Sequence, residues 1–269
     1  LDRDARTPRP TAFGELLLER AEEIDAALGR FETDLSGLRS EPGGPVRWGA
    51  SPAAAARLVS SAVLDVMRER PGIRCTVKTG IDRDLLPALA RGDLDVVVAI
   101  RTRDPLQAGV IAEVLGQETY AIVCGRSHPL ASRADIAAAD LVGHRWLFGH
   151  GVGDIEQALA GAFDEHGLPR PVPAVESDSV SFGRAALASG EFLGVLPLSL
   201  AMDGFAAGQL RRLRVGGFEW QRPMMLYRRR AAQLSPATLV CLDALHRAAA
   251  RSALSSDHSP LTTHHSLPS

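Results

Sequence analysis

Ser51 and the run Ser177-Asp178-Ser179 are the residues whose settings most suggest chemistry. Ser51 follows an apolar stretch, Val46 to Ala50, and is followed by Pro52. A serine hydroxyl can accept a first-turn N–H, and proline at the first helical position lacks an N–H that would otherwise go unbonded. Ser177 to Ser179 precede a helical pattern in the same way. A helix start directly after a strand end presents free backbone N–H groups and a partial positive charge, so it suits reversible binding of a carboxylate or other anion, not bond-making. One such cap is more often structural. Two at equivalent points of two similar halves favour binding.

Other candidates are weaker. Cys124, beside Gly125 at a strand end, is placed as a nucleophile could be, but a buried structural thiol explains it more simply. His144, His150 and His166 lack a carboxylate or cysteine at ligand spacing, so no metal is expected. Asp93 and Asp95 flank a turn into a strand, where solvation and capping account for them. Gly151-Val152-Gly153 is a poor phosphate loop, and the sequence holds no Walker, zincin, nucleophile-elbow or dinucleotide-binding motif. No catalytic residue and no cofactor is therefore predicted. Cys75, Cys124 and Cys241 are odd in number, far apart and without a C-x-x-C pair, which argues against a disulfide framework and points to a reducing cytoplasm.

Hydrophobic periodicity supplies the elements that must position these residues. Phe13, Leu16, Leu17, Ala21, Ile24, Leu28, Phe31, Leu35 and Leu38 recur at spacings of three and four, a single stripe on a helix from about Thr11 to Leu38. Glu41-Pro42-Gly43-Gly44-Pro45 ends it. The stripe either packs on its own domain or, as the hinge favours, pairs with another helix. Beyond the hinge the pattern alternates: strand 46–50, helix 53–70, strand 73–78, helix 83–91, strand 94–100, then a long extended stretch 110–124. A second run follows, with strand 145–148, helix 154–166, strand 172–175, helix 180–189, strand 193–196 and a short helix through 202–207. Strands near 210–215 and 224–228 precede a last helix, 236–254. Near-continuous apolar strands alternating with helices predict parallel sheets covered on both faces, in two lobes with a cleft between. The Ser, Thr, His and Pro of 255–269 predict a disordered tail.

The chain of 269 residues is 45% hydrophobic and 23% charged, which fits an ordinary globular protein and excludes collagen-like or wholly disordered chains. Thirty Lys+Arg against 32 Asp+Glu leave a net charge of -2, so no polyanionic partner is signalled by bulk charge. No apolar run approaches the ~18 residues of a membrane span.

Five segments in register carry a resemblance: Arg6-Thr7-Pro8-Arg9-Pro10-Thr11-Ala12-Phe13-Gly14 before an Ala/Glu-rich helix, Val46-Arg47-Trp48-Gly49-Ala50-Ser51, Arg91-Gly92-Asp93-Leu94-Asp95, Ser127-His128-Pro129-Leu130-Ala131, and Gly194-Val195-Leu196-Pro197. In this order the chain resembles the LysR-type transcriptional regulators. The resemblance implies an α/β fold of two Rossmann-like lobes, the type II periplasmic-binding-protein fold, preceded by a long linker helix. It places the end of a DNA-binding module, the linker helix and the hinge in 1–44 and an effector-binding domain in 45–254. Lobe one takes about 45–123 and 224–254, and lobe two about 124–223. Residue 1 then falls near the end of the wing, so promoter DNA would be held by an N-terminal winged helix-turn-helix not in this chain. Partners implied are a small-molecule effector and further copies of the chain, as homodimer or homotetramer through Leu17, Ile24 and Leu28, with no membrane.

Carried over by position, Ser51 with Pro52 is a polar effector contact of lobe one. Ile81 and Asp82 follow the second strand, where the family usually has Ser or Thr. Arg101 and Thr102 follow the third, and His150, Ser177 and Ser179 edge lobe two. Asp82 departs from the pattern and would repel an anion unless Arg101 or Arg103 compensates. Two competing readings share the architecture: a transporter's solute-binding protein, and an enzyme, which would need an acid-base pair or nucleophile facing the cleft.

Overall fold

The computed structural model describes residues 43–101, 106, 109–149, 153–229 and 234–256, together with positions 11, 13, 14, 16, 17, 20, 21, 24, 28 and 31. Strand β1 spans Gly44–Ala50, and an unbroken helical run follows: α1 Pro52–Ala54, a π-helical stretch Ala55–Val59 and α2 Ser60–Glu69. Next come β2 Ile73–Thr79, α3 Asp82–Arg91, β3 Val96–Ile100 and the long β4 Val110–Gly125. A 3₁₀ turn, Ala138–Leu141, leads to β5 Trp146–Gly149, α4 Gly153–Glu165, β6 Pro173–Ser177, α5 Val180–Ala188, β7 Leu193–Pro197 and α6 Leu198–Ala206. Strands β8 Leu210–Arg212 and β9 Glu219–Arg229 precede α7 Pro236–Ser256.

The strands form one mixed sheet in the order β2-β1-β3-β9-β4-β7-β5-β6, with β8 on β4. Pairing is parallel within β2-β1-β3 and within β7-β5-β6, as the strand–helix alternation predicts. It is antiparallel at β3/β9, β9/β4 and β4/β7, so the expectation of purely parallel sheets fails at the centre. The reason is that β4 and β9 are crossing strands: each serves both halves, and they run against one another for nearly their whole length. Nor are all strands covered on both faces. β2 is an edge whose Arg74, Thr76, Val77 and Lys78 are exposed.

Strand alternation sorts side chains into two layers per lobe. Val96 and Val98 join Val46, Trp48, Val59, Val66 and Leu245 under α2 and α7, while Val97 and Ala99 join Leu85, Leu89 and Tyr227 under α3. In lobe two, Ile122 and Cys124 pack with Trp146, Leu159, Phe163 and Phe218, and Val123 packs with Leu187, Ala201 and Leu210. Helix α7 buries Ala237, Cys241, Ala244, Leu245 and Ala248, a helical stripe that completes the core of lobe one. It ends at Ser256, two residues beyond the expected Leu254; 257–269 lie outside the described residues.

At the other end, Phe13, Leu16, Leu17, Ala21, Ile24, Leu28 and Phe31 are helical and exposed, Phe13 by 87% and Ile24 by 62%. The Thr11 hydroxyl accepts the Gly14 N–H at 3.2 Å, which caps the start of this helix. The stripe thus makes no burying contact with the described remainder of the chain, contrary to the reading in which it packs on its own domain. Leu35 and Leu38 lie outside the described residues.

Candidate functional site

The carboxyl ends of β1, β2 and β3 share one sheet edge, because Ala50 sits opposite both Thr79 and Val98. Ser51, Ile81, Asp82 and Arg101 follow those ends, and the Ser51 N–H donates to the Val98 carbonyl at 2.9 Å. On the other side, Gly149 sits opposite Ser177, and β7 runs parallel to β5, which gathers the carboxyl ends of lobe two. The two edges face one another. β3 ends at Ile100, opposite Met224, which is itself opposite Gly116 of β4; β7 ends at Pro197, opposite Tyr120 of β4. The segment from Gly116 to Tyr120 therefore spans the gap, about 13 Å at the usual rise of an extended chain. That is the size of a small metabolite, and ligands of open α/β sheets bind at such carboxyl ends.

Five helices begin at this gap, and their first turns are unlike one another. The α3 start carries Asp82 and Asp84, and the α4 start carries Asp154 and Glu156. The α6 start receives the Glu118 carboxylate, which accepts the Ser199 N–H at 3.2 Å. No acidic residue lies in the first turns after Ser51 and after Ser179. Both serines cap as the sequence suggested: Ser51 Oγ accepts from Ala54 N at 3.3 Å and Ser179 Oγ from Phe182 N at 3.2 Å. Ser177 Oγ accepts the Ser179 N–H at 3.1 Å.

Capping reduces what the α1 start can offer. Pro52 has no N–H, Ala54 N is bonded to Ser51 Oγ, and Ala55 N donates to the Ser51 carbonyl at 2.8 Å, which leaves Ala53 N and the Ser51 hydroxyl proton for a ligand. Asp82 is the first helical residue of α3, with Ile81 in the capping position, so its carboxylate is not the cap. Arg101 is exposed, with its backbone fixed to the Pro223 carbonyl at 2.8 Å. Thr102, Arg103 and His150 lie outside the described residues.

Sequence reasoning passed over the residues of the crossing strands. Glu118 and Arg222 are register partners on β4 and β9. Arg222 Nη2 donates to Asp154 Oδ2 at 2.7 Å and to the Arg101 carbonyl at 3.1 Å, so one guanidinium joins lobe two to the end of β3. Glu118 is buried, and burial pushes its carboxyl above the usual range, while the Ser199 N–H and nearby Arg57 pull it back. The Ser199 hydroxyl is itself buried without a partner among the described residues. An acid at Glu118, just ahead of the apolar run Tyr120 to Cys124 of β4, was the available signal; for Arg222 no local signal exists, because its partners come from distant sequence.

The remaining chemical candidates lie elsewhere. Cys124 is fully buried and its thiol is pushed up to about 11 by burial, so it is a packed thiol. His144 rests on buried His128 with ring centroids 4.8 Å apart, and His166 Nδ1 bonds the Ala162 carbonyl at 2.8 Å. Asp95 corrects the sequence reading. It is buried and forked by Arg47, with Nη2 to Oδ1 at 2.8 Å and Nε to Oδ2 at 3.1 Å, while Arg47 N donates to the same carboxylate at 2.8 Å. It ties β1 to β3, and only Asp93, paired with Arg91 at 2.9 Å, behaves as a surface acid. A depression lined by Phe148, Glu156, Gln157, Arg170 and Pro171 lies wholly on lobe two.

Comparison with known proteins agrees with this architecture. The sequence profile of the LysR substrate binding domain matches residues 39–250. The HTH-type transcriptional regulator CbbR of Xanthobacter flavus is 28% identical over 240 residues, 89% of this chain and 71% of its own length. The SDS degradation transcriptional activation protein of Pseudomonas sp. (strain ATCC 19151) is 32% identical over 246 residues, 88% of this chain and 78% of its own length. The regulatory domain of Synechocystis PCC6803 CcmR, solved in complex with 2-PG, shares the fold with a TM-score of 0.64 at 18% identity, covering 76% of this chain and 96% of that one. The two sequence relatives are transcriptional regulators, which sets aside the transporter reading.

Proposed function

Since the chain belongs to the LysR-type transcriptional regulators and provides their effector-binding domain, we propose that it senses a small anionic metabolite held in the gap between the lobes. The observation that carries this reading is the distribution of carboxylates: three of the five helix starts at the gap already have one, and the starts after Ser51 and Ser179 have none. An anion placed between those two completes the pattern. Ser51, with Pro52 shaping the turn, contacts it from lobe one, and Ser177 and Ser179 from lobe two. Arg101 adds a charged partner, Ile81 lies at the approach, and Asp82 opposes the anion from the end of β2, while Thr102 and His150 are assigned to the site by the family resemblance alone. The CcmR regulatory domain bound to 2-PG supports a small-molecule ligand for this fold.

Thermal-shift screening of small carboxylates and phosphate esters, followed by calorimetric titration, tests the assignment. Arg101→Ala should weaken the selected ligand tenfold or more, in line with ~1.5–3 kcal/mol for a hydrogen bond to a charged group, and Ser51→Ala should weaken it less. Asp82→Ser should strengthen it. If both alanine variants bind within twofold of the parent, the site is elsewhere, and weaker binding by Asp82→Ser would point to a cationic or polyhydroxylated effector.

Packing supports a division at about 223/224, since Trp220 belongs with the core of lobe two and Met224 with that of lobe one, but on the other crossing strand Ile122 and Val123 pack in lobe two, so of the expected limits (45–123 and 224–254 in lobe one, 124–223 in lobe two) the one at 123/124 is better placed within β4, ahead of Ile122. The exposed stripe supports self-association through Leu17, Ile24 and Leu28, since apolar surface gains ~25 cal/mol per Å² on burial. Leu17, Ile24 and Leu28 all changed to Glu should give a smaller species in sedimentation; an unchanged mass would assign the oligomer to the lobes. Promoter contact is assigned to a winged helix-turn-helix outside residues 1–269, a reading supported by the net charge of -2.

A further inference from the structure

The guanidinium of Arg222 stands in the gap itself. Its Nη2 lies 2.7 Å from Asp154 Oδ2, in the first turn of α4, and 3.1 Å from the Arg101 carbonyl, just past β3, so one nitrogen touches both edges. Asp154 is the sole carboxylate partner of Arg222 among the described residues. Glu118, opposite it on β4, accepts the Ser199 N–H instead, and burial favours its neutral form. The charge of Arg222 is therefore answered by one acid alone.

That answer is a one-point contact. Arg47 grips Asp95 with two nitrogens, Nη2 on Oδ1 and Nε on Oδ2. Arg222 uses Nη2 for both of its acceptors, while Nε and Nη1 have no acceptor among the described residues and are open to solvent. With side-chain exposures of 19% for Arg222 and 30% for Asp154, an ion in solution can reach the pair. A guanidinium offers two forks to an anion, Nε with Nη2 and Nη1 with Nη2. Both forks include Nη2. An anion that binds at two points must therefore take one of the two Nη2 hydrogens, now held by Asp154 and by the Arg101 carbonyl. Asp154 is the one to leave, because two anions side by side repel and a neutral carbonyl does not.

We infer that Arg222 is an anion-exchange site: the carboxylate or phosphate group of a small molecule takes a two-point hold on its guanidinium and displaces Asp154, while the Arg101 carbonyl keeps its bond. Asp154 is then an internal competitor. Ligands that present two charged oxygens are selected, and amines, amides and alcohols are refused because they cannot replace a carboxylate on Arg222. The exchange also changes which elements are tied together: with the anion in place, α4 loses its bond to β9, and β9 keeps its bond to the end of β3. Use of this site by an effector rests on the reading of the gap as the sensing site; the exchange does not.

Calorimetric titration of the full chain with inorganic phosphate, in a buffer free of carboxylates, tests the exchange. Asp154→Asn keeps the shape of the side chain and removes its charge, and it should bind phosphate at least tenfold more tightly than the parent. Asp154→Ser, which also suits a helix start, should do the same. Adding Arg222→Gln to Asp154→Asn should erase the gain. Thermal midpoints measured against phosphate concentration should follow the same order and show that each variant is folded. Equal affinity in the parent and in both Asp154 variants, or a gain that survives Arg222→Gln, would overturn the proposal. Exchange of phosphate without any ligand among the screened carboxylates and phosphate esters would reject the effector reading alone; a screened ligand that depends on Arg101 and Ser51, with no gain in the Asp154 variants, would reject the exchange alone.

Discussion

Glu118 and Arg222 stand opposite each other on the two strands that cross between the lobes, yet they end in contrasting electrostatic settings. Arg222 has an anionic partner in Asp154 and a carbonyl in Arg101, and both ends of its ion pair keep some solvent. Glu118 has one backbone N–H from Ser199 and is buried, so desolvation outweighs its partners and favours the neutral acid. The pair shows that position in a sheet does not set the state of a charge: the number of groups that replace its water does.

If that account holds, a buried acid with a full set of partners should behave unlike Glu118, and Asp95 provides the case. Asp95→Ala removes both guanidinium bonds and the Arg47 N–H acceptor, so a loss of about 3 kcal/mol is expected in urea unfolding at neutral pH. A loss below 1 kcal/mol would break the comparison. Arg222→Ala is expected to cost less, about 1–2 kcal/mol, since its ion pair is partly hydrated. The same variant should widen the distribution of interlobe distances in small-angle scattering, whereas Asp95→Ala should not.

The smallest effect, and the sharpest in sign, belongs to Glu118→Gln. Burial raises the carboxyl in the folded chain, so between the ordinary carboxylate range and that raised value the native state binds more protons than the unfolded state. Stability is contributed on the acid side and lost as pH rises through that window. Glutamine keeps an acceptor for the Ser199 N–H but does not ionise, so relative to the parent the variant should gain stability as pH rises from acid to neutral. Unfolding curves of both proteins across that range would show it; a stability difference, variant minus parent, that stays constant as pH rises would mean that Glu118 is fully compensated.

Local patterns made much of the fold legible. The run Val96 to Ile100 is a strand because every residue is apolar and both faces are covered, and Ser51-Pro52 marks a helix start through rules that involve neighbours only. Asp95 was misread because its partner, Arg47, is 48 positions away and enters only when β1 pairs with β3. Glu118, Arg222 and Asp154 were missed for the same reason: they meet through the pairing of β4 with β9, which periodicity does not reveal. The antiparallel centre of the sheet follows suit, since apolar content identifies a strand without giving its direction.

The cluster around Trp48 draws on Val46 at one end and Ala248 at the other, whereas the clusters of lobe two are closed by residues between Ile122 and Trp220. During synthesis these two parts are therefore completed in the reverse of their order of appearance. Lobe one begins to emerge first but remains without α7 until nearly the whole chain has been made, while lobe two can consolidate as soon as Trp220 is free. Until then the apolar face of β1 and α2 waits uncovered, and a ribosome stalled before α7 would display it to chaperones.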